Sequence, residues 1–95
     1  MNTLITINKA RILDLARKNG VENVRVFGSM VRDDAKADSD VDLLVDLSED
    51  KSGFALGGFL MDVSELLGRK VDVVTEKSLH PKIQAQVLSE ARLLN

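Results

Sequence analysis

The strongest chemical signal in the chain is a pair of aspartates one residue apart, Asp40 and Asp42, beside an apolar run. If residues 41–47 form a strand, side chains two positions apart share a face, so Asp40, Asp42 and Asp46 point away from the apolar row. Two carboxylates about 4 Å apart repel by roughly 4 kcal/mol at an effective dielectric constant of about 20, which favours a cation between them. Oxygen ligands suit Mg²⁺ or Mn²⁺. The spacing therefore predicts a divalent metal site.

Two further features fit phosphate chemistry around these acids. Gly28 and Ser29 lie between an apolar segment and a predicted helical turn, where backbone N–H groups can meet a phosphate and glycine permits close approach. Asp72 adds a third acid within a later apolar segment. Each feature alone has an ordinary structural interpretation, either a glycine turn with a serine cap or a solvated acidic face on an edge strand. Together they favour a phosphate-binding and metal-binding site.

Length and charge limit the class of protein. A chain of 95 residues is expected to form a single domain, residues 1–95, without a separate domain for substrate recognition. A net charge of -2 disfavours direct nucleic-acid binding, which requires a basic surface. The sequence has no cysteine and no apolar run of about eighteen residues, so we expect a soluble cytoplasmic protein without membrane association.

Hydrophobic spacing and turn residues predict alternating helices and strands. The predicted elements are helices at about 7–18, 54–67 and 81–94, a helical turn at 30–35 with Ser29 as its N-cap, and strands at 24–27, 41–47 and 70–75. The predicted fold class is therefore α/β. A small mixed sheet would carry the acids at one rim, and helices would cover its other face.

Arg32, three residues after Ser29, has two interpretations that the sequence leaves open. Its guanidinium could bind a β or γ phosphate bidentately. It could instead form a surface ion pair, worth about 0–1 kcal/mol, with one of the acids that follow it: Asp33, Asp34 and Asp38. Asp38 itself, like Asp46, is expected to be solvated or to lie outside the direct contacts of a metal.

The other distinctive side chains are assigned mainly to structure. Phe54 and Phe59 are expected in the core, with contact to a partner as the second interpretation, and Leu93 and Leu94 could add apolar contact surface. His80 lies just before the last predicted helix. There it is expected to cap the helix or to be exposed, rather than to bind a metal.

The order of these motifs resembles the nucleotidyltransferase superfamily of DNA polymerase beta. The resemblance is closer to the minimal nucleotidyltransferases, which are antitoxin partners of HEPN-domain toxins in prokaryotes. It rests on four segments: residues 26–32 (VFGSMVR), 38–45 (DSDVDLLV), 66–74 (LLGRKVDVV) and 79–81 (LHP). The first two segments are shared across the superfamily, whereas the last two indicate the minimal group.

This resemblance implies a specific role for each site residue. Asp40 and Asp42 would bind two Mg²⁺ ions, with Mn²⁺ as an alternative, that bridge the ATP phosphates and an attacking hydroxyl. Asp72 would join this metal site and would hold or deprotonate the hydroxyl. Gly28 and Ser29 would hold the triphosphate, which is an arrangement suited to in-line displacement at the α phosphorus.

The implied activity is transfer of AMP from ATP to a hydroxyl, most simply a tyrosine of a HEPN ribonuclease toxin that the modification would silence. The alternative is a binding-only antitoxin that occludes its toxin without catalysis. Transfer to a small molecule such as an antibiotic is a third alternative, which the absence of an acceptor-binding domain disfavours. A homo-oligomer or hetero-oligomer would be compatible with each alternative.

Overall fold

The computed structural model describes residues 1–94, in which helices alternate with the strands of one sheet. The helices are α1 (Thr3–Ile7), α2 (Lys9–Asn19), α3 (Ser29–Arg32), α4 (Gly53–Leu67) and α5 (Pro81–Glu90). The strands are β1 (Val21–Phe27), β2 (Val41–Leu47), β3 (Val71–Val74) and β4 (Arg92–Leu93), and a 3-10 turn at Glu76–Ser78 follows β3. Over residues 1–94 the prediction of an α/β fold is confirmed.

The sheet is mixed, with the described strands in the order β3-β2-β1-β4. Strand β1 pairs antiparallel with β2 and with β4, whereas β2 pairs parallel with β3. Parallel neighbours need a crossover connection, and α4 supplies it between β2 and β3. This topology places β2, which carries Asp42 and directly follows Asp40, between β1 and β3.

The main hydrophobic core lies between one face of the sheet and the helices α1, α2 and α4. The alternation in β2 follows the prediction, because Val41, Leu43 and Val45 are buried while Asp42 and Asp46 are only partly buried. The core residues are Ile5, Ile12, Ala16, Val21, Val24, Val26, Met30, Val41, Leu43, Val45, Phe59, Val63, Leu67, Val71 and Leu94.

The acid-bearing face of the sheet is not left open, which corrects the expectation that helices cover only the other face. Phe27 lies directly opposite Asp42 in the antiparallel ladder and therefore shares its face. Phe27 also lines a groove of about 230 Å³ with Ile83 and Val87 of α5. Leu44, on the same face, is fully buried. Helix α5 therefore lies on the same face of the sheet as Asp42, and not on the opposite face.

The predicted last helix is too long at its C-terminal end. It begins at Pro81 as expected, and His80 caps it, because the His80 Nδ1 accepts a hydrogen bond from the Lys82 N–H at 3.1 Å. The helix ends at Glu90, and Arg92 and Leu93 then pair with β1 as a short edge strand. The apolar spacing near the end was helical, but the unpaired edge of β1 provides hydrogen-bond partners that the local sequence does not reveal.

Three other boundaries differ from the prediction. The predicted helix at 7–18 corresponds to α2, and the short helix α1 before it was not predicted; the two helices meet at Asn8, whose side chain donates to the Leu4 carbonyl at 2.8 Å. Strand β1 begins at Val21, three residues earlier than predicted, and continues through an irregularity at Asn23, which has a φ of 50°. Helix α3 is only Ser29–Arg32, and Gly28 occupies its N-cap position, so the assignment of Ser29 as the cap was wrong.

The two phenylalanines of α4 have opposite environments. Phe59 is fully buried, as expected, whereas Phe54 is 92 % exposed, so the core assignment of Phe54 was wrong. Since each helical residue advances about 100°, Phe54 lies about 140° around the helix from Phe59 and on the same side as the exposed Met61. Leu93 is exposed and Leu94 is buried, so of the two leucines only Leu93 is available for contact.

None of the helices within residues 1–94 is long and apolar enough to cross a lipid bilayer.

Candidate active site

The sheet register brings Asp42 and Asp72 side by side. Asp42 of β2 pairs with Asp72 of β3 in the parallel ladder, where neighbouring strands lie about 4.8 Å apart. Asp42 is half-buried and Asp72 is exposed. Asp40 lies just before β2 and Lys70 lies just before β3. The Asp40 Oδ2 is 3.8 Å from the Lys70 Nζ. The three predicted acids are therefore at the same end of the two strands.

The charged form of Asp42 is disfavoured by its surroundings. Its pKa is raised above the ordinary value, first by burial and then by the charges of Asp72 and Asp40. Glu90 raises the pKa of Asp42 further, whereas Arg32 lowers it. A bound cation would relieve both the burial cost and the mutual repulsion of these carboxylates.

The donor chemistry of this group fits a hard divalent cation. Asp40, Asp42 and Asp72 provide only carboxylate oxygens, which Mg²⁺ and Mn²⁺ prefer. Within residues 1–94, however, no three His, Cys, Asp or Glu side chains are grouped closely enough to form a ready-made metal site. The side chains of the three acids would have to converge when a metal binds.

The backbone conformation at position 28 and its closeness to Asp42 both favour glycine there. The φ of Gly28 is +76°, and a Cβ built on it would lie 2.5 Å from the Asp42 Oδ2. The residue that precedes α3 therefore packs directly against the central acid of the site. Ser29, half-buried, follows as the first residue of α3. The predicted phosphate-binding turn and the predicted metal-binding acids are thus in contact.

Arg32 makes one of the ion pairs that the sequence suggested and one that it did not. Its Nε donates to the Asp34 Oδ2 at 3.2 Å, and its Nη1 donates to the Glu90 Oε1 at 2.9 Å. The same Glu90 oxygen accepts a hydrogen bond from the Gly28 N–H at 2.6 Å. Asp33 pairs with the N-terminal amine instead.

Glu90 is the site residue that sequence reasoning missed. It lies 62 residues after Gly28 along the chain, in a segment that carries no motif of phosphate or metal chemistry. The one available signal was its position near the C-terminus of a predicted helix, where a carboxylate is disfavoured by the helix dipole.

The loop before β2 is held in place on both sides. The Ser39 Oγ accepts from the Lys36 N–H at 2.7 Å, and the Ser39 carbonyl accepts from the Arg69 Nη1 at 3.1 Å. Since Ser39 directly precedes Asp40, these contacts orient the start of the acid pair. Asp38 is exposed, in line with the expectation that it is solvated.

Asp46 lies apart from the group of acids at the other end of β2. Its two oxygens accept hydrogen bonds from the Arg25 Nη2 at 2.9 Å and the Asn23 Nδ2 at 2.8 Å. Arg25 also reaches Glu76, with its Nη1 3.4 Å from the Glu76 Oε1. Asp46 therefore serves a structural ion pair, although it shares the outward face of β2 with Asp42.

Comparison with known proteins shows the family to which this chain belongs. Residues 9–94 match the family model described as a nucleotidyltransferase domain, so the chain belongs to that family. It is 39% identical over 90 residues to a Thermococcus cleftensis protein named protein adenylyltransferase MntA, covering 95% of this chain and 88% of the relative. The family prediction made from the sequence is confirmed.

Two solved structures are similar to this chain. One, assigned as a minimal nucleotidyltransferase, has 38% sequence identity and a TM-score of 0.81, and the match covers 97% of this chain and 95% of the other. The second is a chain of the complex of tri-AMPylated Shewanella oneidensis HEPN toxin with MNT antitoxin, with 22% identity, a TM-score of 0.68 and coverage of 94% and 70%. The second similarity is one of fold alone. The predicted mixed-sheet architecture is therefore that of the minimal nucleotidyltransferases.

Proposed function

We propose that this protein is an adenylyltransferase that moves AMP from ATP to a tyrosine hydroxyl of a HEPN-domain toxin and so acts as the antitoxin. The observation that carries the proposal is the in-register pair of Asp42 and Asp72 beside the Gly28 turn. Support for the acceptor comes from the relative named as a protein adenylyltransferase. Support for the partner comes from the similar chain in a complex with an AMPylated HEPN toxin.

In this proposal each predicted residue keeps the role that the resemblance implied. Asp40, Asp42 and Asp72 would hold two Mg²⁺ ions, which when bound supply Lewis-acid stabilisation of the entering and leaving oxygens. Asp72, the most open of the two paired acids, would orient the acceptor hydroxyl and take its proton. Gly28 and Ser29 would hold the triphosphate in line for attack.

Arg32 completes the proposed nucleotide site. Its guanidinium is half-exposed and lies close enough to Asp42 to lower the pKa of that carboxyl. A β or γ phosphate held by Gly28 and Ser29 would therefore lie within reach of a bidentate arginine. Arg32 would bind the phosphate in exchange for its present carboxylate partners, Asp34 and Glu90.

Replacing Asp72 should separate nucleotide binding from chemistry. We expect Asp72→Asn to keep its MgATP affinity within about tenfold of wild type and to lose about 10²–10⁴-fold in transfer rate, the usual contribution of a general base. Calorimetric titration of MgATP and a single-turnover transfer assay measure the two effects. A loss of ATP affinity as severe as the loss of transfer would show that Asp72 acts mainly in ground-state binding of MgATP and not as the general base.

The partner prediction is tested with an inactive variant. Wild-type protein that is co-expressed with its cognate HEPN-domain toxin should form a complex with it and add AMP to one of the toxin's tyrosines. Intact mass measurement and peptide mapping of the toxin detect the added AMP. Asp40→Asn should bind the partner but leave it unmodified, because the metal site is incomplete while apolar contacts such as Phe54 and Leu93 are unchanged. Asp38→Asn, an exposed acid two residues away, is the matched control and should modify the partner normally.

The same experiment tests the binding-only alternative. If Asp40→Asn neutralises the toxin at equal stoichiometry and the wild type leaves no AMP on the partner, protection is by occlusion and the enzymatic proposal is wrong. If the wild type adenylylates the partner and Asp40→Asn fails to protect cells, neutralisation requires catalysis.

A further inference from the structure

Glu90 binds the two groups that the proposed function assigns to the nucleotide phosphates. Its Oε1 accepts hydrogen bonds from the Gly28 N–H at 2.6 Å and from the Arg32 Nη1 at 2.9 Å. The Glu90 side chain is only 19% exposed, whereas its partner Arg32 is 49% exposed, so the contact lies at the solvent-accessible edge of the proposed nucleotide site. A carboxylate oxygen and a phosphate oxygen have the same charge sign and accept hydrogen bonds from the same donors.

The backbone holds Glu90 in this position. Helix α5 ends at Glu90, and β4 begins two residues later and pairs with β1. The Leu94 N–H also donates to the Val24 carbonyl at 2.9 Å. Because β1 leads directly into Gly28, both partners of the contact are fixed to the same strand. The side-chain torsions of Glu90 are the remaining freedom through which its carboxylate can leave.

The position of this carboxylate is unfavourable apart from its two hydrogen-bond donors. It lies at the last residue of α5, where the negative end of the helix dipole repels an anion. It also raises the pKa of Asp42, so its charge acts on the acids of the site. A phosphate in contact with Gly28 and Arg32 would add a second anion at the same donors, and mutual repulsion prevents both from staying.

We propose that Glu90 is an internal competitor of ATP: its carboxylate occupies Gly28 and Arg32 in the nucleotide-free protein and rotates away when the triphosphate binds. This inference rests on the proposed function, because it takes Gly28 and Arg32 as phosphate ligands. ATP then binds only to the fraction of molecules in which Glu90 has moved, and its apparent affinity falls in proportion to that fraction.

The test compares MgATP binding, without any acceptor protein, in the wild type, Glu90→Gln, Glu90→Ala and Glu49→Gln. Glu90→Gln keeps the size of the side chain and removes its charge, whereas Glu90→Ala removes the acceptor. Glu49→Gln makes the same change in net charge at an exposed loop position beyond the other end of β2. We expect both Glu90 variants to bind MgATP about 5–10-fold more tightly than the wild type, and Glu49→Gln to match the wild type.

A second measurement needs no nucleotide. Amide hydrogen exchange at Gly28 in the free protein should be faster in both Glu90 variants than in the wild type and Glu49→Gln, because its hydrogen-bond acceptor is weakened or lost. Thermal unfolding confirms that the variants are folded before either comparison is made.

The outcomes separate the two proposals. If the wild type binds MgATP and the Glu90 variants bind it equally or more weakly, Glu90 is not a competitor, and the nucleotide site stands. If all four proteins, although folded, fail to bind MgATP, the proposed function is wrong and the competitor role falls with it. Tighter binding in Glu49→Gln to the same degree would assign the effect to net charge and overturn the role of Glu90.

Discussion

Asp42→Asn is expected to abolish nucleotide transfer while making the metal-free protein more stable. The charged form of Asp42 is disfavoured by burial and by the neighbouring Asp72 and Asp40 carboxylates, which together raise its pKa. An asparagine of the same shape removes that repulsion from the folded state. It also removes a proposed metal ligand, and a loss of several kcal/mol of transition-state stabilisation corresponds to a rate loss of at least about a thousandfold.

The measurements are transfer rate with Mg²⁺ and thermal unfolding in the presence of a chelator. The Tm of Asp42→Asn should rise by a few degrees, on a scale where 1 kcal/mol shifts the Tm of a domain of this size by about 4–8 °C. Asp46→Asn is the matched control on the same strand and face. It breaks the contacts to Arg25 and Asn23, so it should lower the Tm and retain transfer.

Opposite movements of activity and stability in Asp42→Asn, but not in Asp46→Asn, would distinguish a metal-binding acid from a structural one. Near-normal transfer by Asp42→Asn with magnesium would contradict the assignment of Asp42 to the metal site. A lower Tm for Asp42→Asn in chelator would contradict the electrostatic account of this acid.

Gly28→Ala is expected to impair both stability and catalysis, although it adds a single methyl group. The new Cβ would lie 2.5 Å from the Asp42 Oδ2, and alanine would have to adopt a φ of +76°. Strain of this kind costs about 1–3 kcal/mol. Relief of the clash would displace Asp42, and a displacement of about 1 Å at a reacting centre can cost a hundredfold in rate.

Gly68→Ala is the matched control for the backbone part of this effect. Gly68 also has a positive φ, of +63°, but no atom of residues 1–94 beyond its chain neighbours lies within 4 Å of a Cβ built there. It should lose about 1–2 kcal/mol of stability from the left-handed backbone and keep its MgATP affinity and transfer rate. Equal transfer rates in Gly28→Ala and the wild type, measured at saturating ATP, would show that the contact with Asp42 has no role in catalysis.

Local sequence determined much of the fold and identified the candidate residues of the site. The alternation of residues 41–47 correctly separated the buried face of β2 from the face with Asp42 and Asp46, because the two-residue period of a strand is a local property. Pro81 and His80 correctly marked the start of α5 for the same reason, since capping depends on neighbouring residues. The motifs around Gly28, Asp40 and Asp72 were sufficient to identify the family.

The tertiary structure decided which of these residues meet. The adjacency of Asp42 and Asp72 follows from the parallel register of β2 and β3, which the crossover through α4 establishes and no local pattern encodes. Phe54 was misassigned because apolar character indicates burial only when the residue lies on the inner side of its helix.

Residues 91–94 were the least predictable part of the fold, because their structure depends on a strand that is distant in the sequence. Residues 91–94 were predicted to continue the last helix, but the edge of β1 offers backbone hydrogen-bond partners that only the assembled sheet provides. That strand in turn fixes Glu90 beside Gly28 and Arg32, across 62 and 58 residues of sequence. Contacts at such separations depend on how the elements pack, and they form only once the whole sheet is in place.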